Sequence, residues 1–426
     1  MKLSILENKE AKNAGWLIGG KVCQMLLSLV VGVLTARYLG PSNYGLINYG
    51  ATYMSFFMAF CTLGINSVII SDFVNRPNEC GMALGTSILL RSISSLASAF
   101  MIVGVAMVLD YGETETILVV TLCSLSLVFH AMDTINYWFQ YQYKSKVTAI
   151  ITFMAYLATS IYKIILLILK KNVMWFALSY SVDYIVLGGL LLLAYRKHNG
   201  PKLQFSISKG KELLSRSCHY ILSGMMVAIY GQTDKLMLKQ MVGETSVGYY
   251  SVATAICGMW VFVLQAIIDS MYPTIIRLYK EDQKLFEKKN RQLYSIIFYL
   301  SFLVSFVFLI FGDIVIMVLY GKDYMIASNP LKIITWYTAF SYLGVARNAW
   351  IVCKNHQKYL KYLYLSAAVI NVILNFIMIP LWGISGAALA SLITQIMTSI
   401  IFPLFIKALR PNAILMLEAI TFRKIK

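Results

Sequence analysis

Twelve apolar stretches, each long enough to cross a bilayer, leave this chain few folds to choose from. They run approximately over 15–38, 44–66, 82–109, 116–138, 147–169, 172–195, 217–239, 246–272, 293–319, 327–352, 360–380 and 384–407. Hydrocarbon offers no water to unpaired backbone groups, so stretches of this length must be helices. The expectation is an all-α integral membrane protein of about twelve transmembrane helices. With 59% hydrophobic and 13% charged residues the chain cannot clothe a soluble fold, and its connections leave no room for a large domain outside the membrane. The first stretch carries Lys21 and is too long for the apolar core of a signal peptide, so it reads as the first span.

Lys and Arg number 37 against 19 Asp and Glu, and their placement decides what the excess means. With a cytoplasmic N-terminus, 26 of the 37 fall in inside segments, whereas only Arg37, Lys170, Lys171, Lys239 and Lys322 fall outside. That is a positive-inside signature, and it puts both termini in the cytoplasm. The charge is thus an orientation signal and a contact with anionic membrane lipids, not a nucleic-acid footprint. The long loop 196–216 lies near the midpoint and divides the chain into an N-terminal lobe, 1–200 with spans one to six, and a C-terminal lobe, 201–426 with spans seven to twelve and a basic tail. Residues 39–51 and 242–254 align without gaps, Gly40 over Gly243 and Gly45 over Gly248, at the same turn of each half. Such a match at equivalent turns points to an internal repeat of parallel topology.

Six bases remain inside the spans: Lys21, Arg91, Lys163, Lys235, Lys332 and Arg347. A cation in hydrocarbon costs about 3 kcal/mol on insertion scales, so each must face protein or a wet cavity, or reach an interface. Reaching the interface is easiest for Lys332 and open to Lys163 and Lys235, whereas Lys21, Arg91 and Arg347 sit deeper. The intramembrane acids are Asp133, Asp183, Asp234, Asp269 and Asp313, for which structural ion pairing is the plain alternative to function. His130 and Asp133 are three apart and share a face that can relay a proton, and Asp234 is a further candidate for ion coupling. Asn371 and Asn375 read as interhelical hydrogen-bond partners. Seven cysteines without a C-x-x-C pair and four histidines without ligand spacing give no metal site. No nucleophile-and-base arrangement or phosphate loop appears, so neither an enzyme nor a bound cofactor is expected. Bases spread over separate spans instead suit a cavity that accepts an anion.

At this point four stretches are recognisable: Ala36-Arg37-Tyr38-Leu39-Gly40-Pro41 followed by Tyr44-Gly45; Asp234-Lys235-Leu236-Met237-Leu238; Val247-Gly248-Tyr249-Tyr250-Ser251-Val252-Ala253; and Tyr320-Gly321-Lys322-Asp323-Tyr324 with Ala327. In order and spacing they resemble the bacterial polysaccharide flippases, the Wzx-like branch of the multidrug/oligosaccharidyl-lipid/polysaccharide exporter superfamily. Ser71-Asp72 departs from the resemblance where an Arg is expected in many relatives, so no cationic role is carried to that segment. The resemblance implies two six-helix lobes around a cationic cavity in the bacterial cell membrane. It also implies movement of an undecaprenyl-pyrophosphate-linked oligosaccharide between leaflets by alternating access, driven by an ion gradient or the membrane potential, beside other polysaccharide assembly proteins. Lys21, Arg91 and Arg347 are then first candidates for the pyrophosphate, with Lys163 and Lys235 behind them, and Arg37 would meet the headgroup on release. A drug or cation exporter of the same superfamily is the alternative, argued against by six intramembrane bases over five acids. A membrane polymerase of the same pathway would need a large outward loop or a catalytic dyad.

Overall fold

The computed structural model describes residues 2–421, with side chains from residue 19 onward apart from Ser223. The side chains of Lys2, Lys9 and Lys12, and Arg423, Lys424 and Lys426, which the sequence places on the basic side, lie outside the described residues. All regular structure among the described residues is helical. The chain forms two compact units, residues 1–228 and 229–426.

Unit 1 begins with α1 (Lys2–Thr62), which is two spans in one element, broken at Gly40. Gly40 has φ 70° and ψ 171°, a conformation closed to residues with a Cβ, and Pro41 then starts the second limb where its missing N–H costs nothing. The short α2 (Ile69–Asn75) leads to α3 (Cys80–Leu109). The fourth span is built of α4 (Thr114–Ser124), α5 (Ser126–His130), a 3₁₀ turn (Ala131–Thr134) and α6 (Ile135–Tyr141). α7 (Ser145–Ile168) is the fifth span, and α8 (Val173–Ala177) with α9 (Ser179–Lys197) the sixth. Phe73, Trp138, Phe139 and Tyr195 pack the core at the end that carries the 72–79 loop. Residues 201–206 form an extended strap along the start of α3. The Gln204 N–H donates to the Gly81 carbonyl at 3.2 Å and the Ser206 N–H to Thr86 Oγ1 at 3.1 Å. A Cβ at Gly81 or Gly85 would stand 2.3 or 2.4 Å from a strap carbonyl oxygen, so only glycine admits the strap.

The division between the units falls inside α10 (Ile207–Val242), between Ala228 and Ile229, and not in the loop at 200/201 where the spacing of spans placed it. The physical reason is a cluster of charges at the start of α10. Lys209 Nζ lies 2.9 Å from Asp72 and 2.8 Å from Glu79, Arg216 lies 2.9 Å from Asp72, and Glu212 lies 2.7 Å from Arg76. Asp72, where the resemblance calls for a base, is therefore an anchor for two bases.

Unit 2 continues with α11 (Glu244–Glu281), α12 (Gln283–Leu319) and α13 (Ser328–Cys353). α14 (Leu360–Ile396) again joins two spans across a glycine break, Gly383 at φ 56°, and runs through a π-helical turn (Met397–Ile401) into α15 (Phe402–Phe405). The short α16 (Arg410–Ile420) is the last helix among the described residues. Phe286, Tyr294, Trp350, Leu415 and Met416 share its core.

Among the described residues, eight helices have the length and hydropathy to cross a membrane by themselves. Two of these divide at Gly40 and Gly383, and α10 and α13, whose charges lower their hydropathy, bring the crossing segments to the expected twelve. Phe100, Val108 and Phe376 are 69–77% exposed on outer faces, an arrangement that hydrocarbon covers and water would penalise. Segments assigned to one side of the membrane also meet one another. Arg76 meets Glu212 in unit 1 and Arg291 meets Glu418 in unit 2, while at the opposite end Tyr38 Oη donates to the Lys171 carbonyl at 3.1 Å. The aligned glycines of the two halves share a conformation as well, since Gly243 has φ 112° and ψ 169° against 70° and 171° at Gly40.

Candidate functional site

Each unit encloses a polar chamber among its spans. In unit 1 a cavity of about 280 Å³ is walled by α1, α7 and the sixth span, and Lys163, Asp183, Tyr44, Tyr156 and Tyr180 face it. Lys163 Nζ stands 5.8 Å from the Tyr180 ring centroid, while Asp183 accepts one hydrogen bond, from Thr159 Oγ1 at 3.0 Å. Cation and carboxylate thus share one space, each only partly engaged by protein.

The unit 2 chamber, about 360 Å³, is arranged otherwise. Asp234, on α10, is buried and takes four donors from three other helices or limbs. These are Tyr250 Oη at 2.5 Å, Asn375 Nδ2 at 2.6 Å, Asn371 Nδ2 at 3.1 Å and Ser391 Oγ at 2.5 Å. Four hydrogen bonds from neutral donors stabilise the charge of such a carboxylate. Its sequence neighbour Lys235 points about 100° away on the helix and faces the chamber, with no hydrogen bond or ion pair among the described residues. Asn371 and Asn375 serve as the interhelical partners their i,i+4 spacing suggests, and Asn371 Oδ1 accepts from Asn375 at 3.1 Å.

The second and third recognised stretches meet in this chamber, and the fourth packs against the third. Asp234 of the second receives Tyr250 of the third, and Tyr249 of the third lies edge-on to Tyr324 of the fourth at 6.0 Å. The motif residues are thus the joints of one bundle.

Arg91 and Arg347, the deep arginines, are buried to 1% and 4% exposure and bound by neutral acceptors. Arg91 donates to Thr134 Oγ1 at 2.7 Å and its other terminal nitrogen meets His130 Nδ1 at 2.9 Å. A guanidinium can only donate, so that contact holds only while Nδ1 carries no proton. Arg347 donates to the carbonyls of Thr398 and Ser399 at 3.3 and 3.4 Å, inside the π-helical turn. Lys332, fifteen residues earlier on α13, pairs with Asp313 at 2.7 Å.

A further cavity in unit 1, about 330 Å³, has Lys21 and Asp133 in its wall. Asp133 accepts from Asn136, whereas His130 faces Arg91 and Tyr184, and no hydrogen bond joins His130 to Asp133 among the described residues. Arg37 is exposed on α1 beside the Gly40 break. No cluster of three or more metal-ligating side chains occurs among the described residues.

Sequence reasoning picked out the charged groups and missed most of what binds them. Tyr250 lay in a recognised stretch without an assigned role, and nothing in the sequence singled out Ser391 or the carbonyls of the π-helical turn.

Comparison with known proteins agrees with this architecture. The profile of the family described as polysaccharide biosynthesis protein matches residues 11–279. The chain is 23% identical over 408 residues to the capsular polysaccharide biosynthesis protein CapF of Staphylococcus aureus, covering 93% of this chain and 99% of that one. It is 22% identical over 400 residues to a protein assigned as an O-antigen transporter of Escherichia coli strain K12, covering 90% and 93%. Among solved structures it matches the lipid II flippase MurJ in an inward closed conformation, with a TM-score of 0.75 at 17% identity over 95% of this chain and 92% of that one. It also matches an inward-facing multidrug resistance MATE transporter of the MOP superfamily, with a TM-score of 0.70 at 15% identity over 93% and 96%. At such identities the structures speak for the fold, and the family profile speaks for descent. A multi-pass helical membrane protein with the fold of the multidrug/oligosaccharidyl-lipid/polysaccharide exporters, the chain belongs to the polysaccharide biosynthesis protein family.

Proposed function

We propose that this protein is a flippase that moves an undecaprenyl-pyrophosphate-linked oligosaccharide from the cytoplasmic to the outer leaflet of the bacterial cell membrane, for O-antigen, capsule or exopolysaccharide synthesis. The observation that carries the reading is Lys235, a cation held within the span region and facing a polar chamber while the neighbouring carboxylate is occupied by four other donors. A charge so placed is offset when an anionic group arrives. Relatives named for capsule synthesis and O-antigen transport, and the lipid II flippase fold, support a lipid-linked glycan as the anion's bearer.

In this reading Lys21, Lys163 and Lys235 face cavities and meet the anionic substrate directly. Arg91 and Arg347 hold the bundle in register through His130, Thr134 and the π-helical turn, and Arg37 meets the headgroup on release. Transport proceeds by alternating access. Asp234 is our assignment for the coupling cation, with Asn375 Oδ1 beside it lacking a donor, and His130 with Asp133 is the second candidate. The membrane potential adds about 2.3 kcal/mol per charge per 100 mV to outward movement of an anion.

The decisive experiment deletes the gene and measures lipid-linked glycan on each leaflet. Accumulation on the cytoplasmic leaflet, cleared by the wild-type gene and not by Lys235→Met at equal abundance, is the expected result. An unchanged leaflet distribution would falsify the reading. Asp234→Asn, which keeps side-chain volume, should leave a folded protein whose transport no longer follows the ion gradient.

A further inference from the structure

The basic end of unit 2 contains a cavity that the transport reading does not use. It measures about 490 Å³, within the about 300–1,000 Å³ common for ligand sites, and opens where the start of α12, the end of α13 and the approach to α16 meet. Its wall is preformed. α16 buries Ala413, Met416 and Ala419 and is pinned by Asn412 Nδ2 donating to Tyr294 Oη at 2.7 Å and Ser295 Oγ donating to the Ala419 carbonyl at 3.1 Å.

The charged groups facing this cavity are unequally spoken for. Arg291 and Glu418 pair at 2.8 Å and cancel. Lys354 and Lys407 have no carboxylate within ion-pair distance among the described residues, and Lys354 Nζ instead stands 5.0 Å from the Tyr279 ring centroid. Glu287 is the remaining acid, so the formal surplus is a single positive charge, with His356 as a further donor. One surplus charge matches a phosphodiester and not a pyrophosphate.

A second observation, independent of charge, concerns the outer side of the same segment. Phe405 is 83% exposed, Ile414 42% and Leu417 37%; Ile414 also lines the cavity, and it and Leu417 are three apart on the side of α16 turned away from its buried residues. A free anion has no use for that stripe, whereas a lipid uses it together with the lysines.

We infer that this cavity is a binding site for the phosphodiester headgroup of an anionic phospholipid, held by Lys354 and Lys407, with the acyl chains along Phe405, Ile414 and Leu417. Basic pockets between helices at the cytoplasmic interface are suited to such headgroups. The site stands whatever the transporter carries.

The test uses the full-length protein in neutral detergent, with thermal unfolding followed as phosphatidylglycerol, phosphatidylcholine or inorganic phosphate is added. Phosphatidylglycerol should raise the unfolding temperature, and the other two should not. Lys354→Gln with Lys407→Gln should remove at least half of the rise, while Lys280→Gln with Lys289→Gln, at the same end but off the cavity, should keep it. The paired Arg substitutions at 354 and 407 should also keep it, which separates lost charge from lost fold. Should the glutamine pair not fold, Glu287→Gln serves in its place and should tighten phosphatidylglycerol binding several-fold. The inference is overturned if the glutamine pair responds like wild type, if the control pair loses as much, if Glu287→Gln leaves binding unchanged, or if phosphate or phosphatidylcholine stabilises as well as phosphatidylglycerol.

Discussion

The chambers of the two units each contain one lysine and one aspartate, yet the carboxylates are treated in opposite ways. In unit 1, Asp183 has a single protein donor among the described residues and shares its space with Lys163. In unit 2, Asp234 is enclosed by four donors, and Lys235 is left facing the chamber alone. The difference teaches that a count of charges does not give the field in a membrane cavity. Neutral hydroxyls and amides decide which charge is already satisfied, and what remains is the charge a ligand meets.

The largest expected effect comes from emptying the better-bound site. Asp234→Ala strands four buried donors and should cost about 3 kcal/mol or more of stability, against about 1 kcal/mol for Asp183→Ala. Reversible unfolding in detergent measures both, and equal losses would break the comparison. For transport the ranking rests on the lysines. Lys235→Met should lower flipping about tenfold or more, and Lys163→Met less, because removing Lys163 leaves Asp183 to repel the anion only in a chamber that was already balanced. Leaflet assays on equal amounts of folded protein give the ratio, and a reversed order would assign the anion to unit 1.

Two smaller tests ask whether unit 1 is held at its end as firmly as unit 2 is at its chamber. Gly85→Ala drives a Cβ to 2.4 Å from the Gln204 carbonyl oxygen and should cost about 1–3 kcal/mol, seen as earlier proteolysis of the strap. The smallest effect concerns pH. The Arg76 hydrogen bond, with Lys209 behind it, holds the Glu212 carboxyl below its ordinary 4.5. A lowered folded value stabilises the fold above that pH and is lost as pH falls through the folded value. The unfolding temperature should therefore stay level from pH 8 to about 5 and drop below 4.5, and Glu212→Gln should flatten that drop.

The fold was readable because length and hydropathy are local properties, and even the breaks were marked, Gly40 by the Pro41 that follows and by its alignment with Gly243. The site was readable only in its charged half. Asp234 and Lys235 announce themselves in an apolar stretch, but Ser391 lies 157 residues away and is an ordinary helix residue until the bundle closes. Arg347 is harder still, since its acceptors are backbone carbonyls in the π-helical turn, for which no side-chain pattern codes.

The strap at 201–206 has a consequence for anyone who would cut this protein in two. A fragment ending at residue 200 would leave Gly81 and Gly85 without the strand that lies on them, and Asp72 without Lys209 and Arg216. One ending at residue 228 keeps all of these, so a half-length fragment, or a chimera with a relative, must inherit the beginning of α10 with the first half of the gene if that half is to fold.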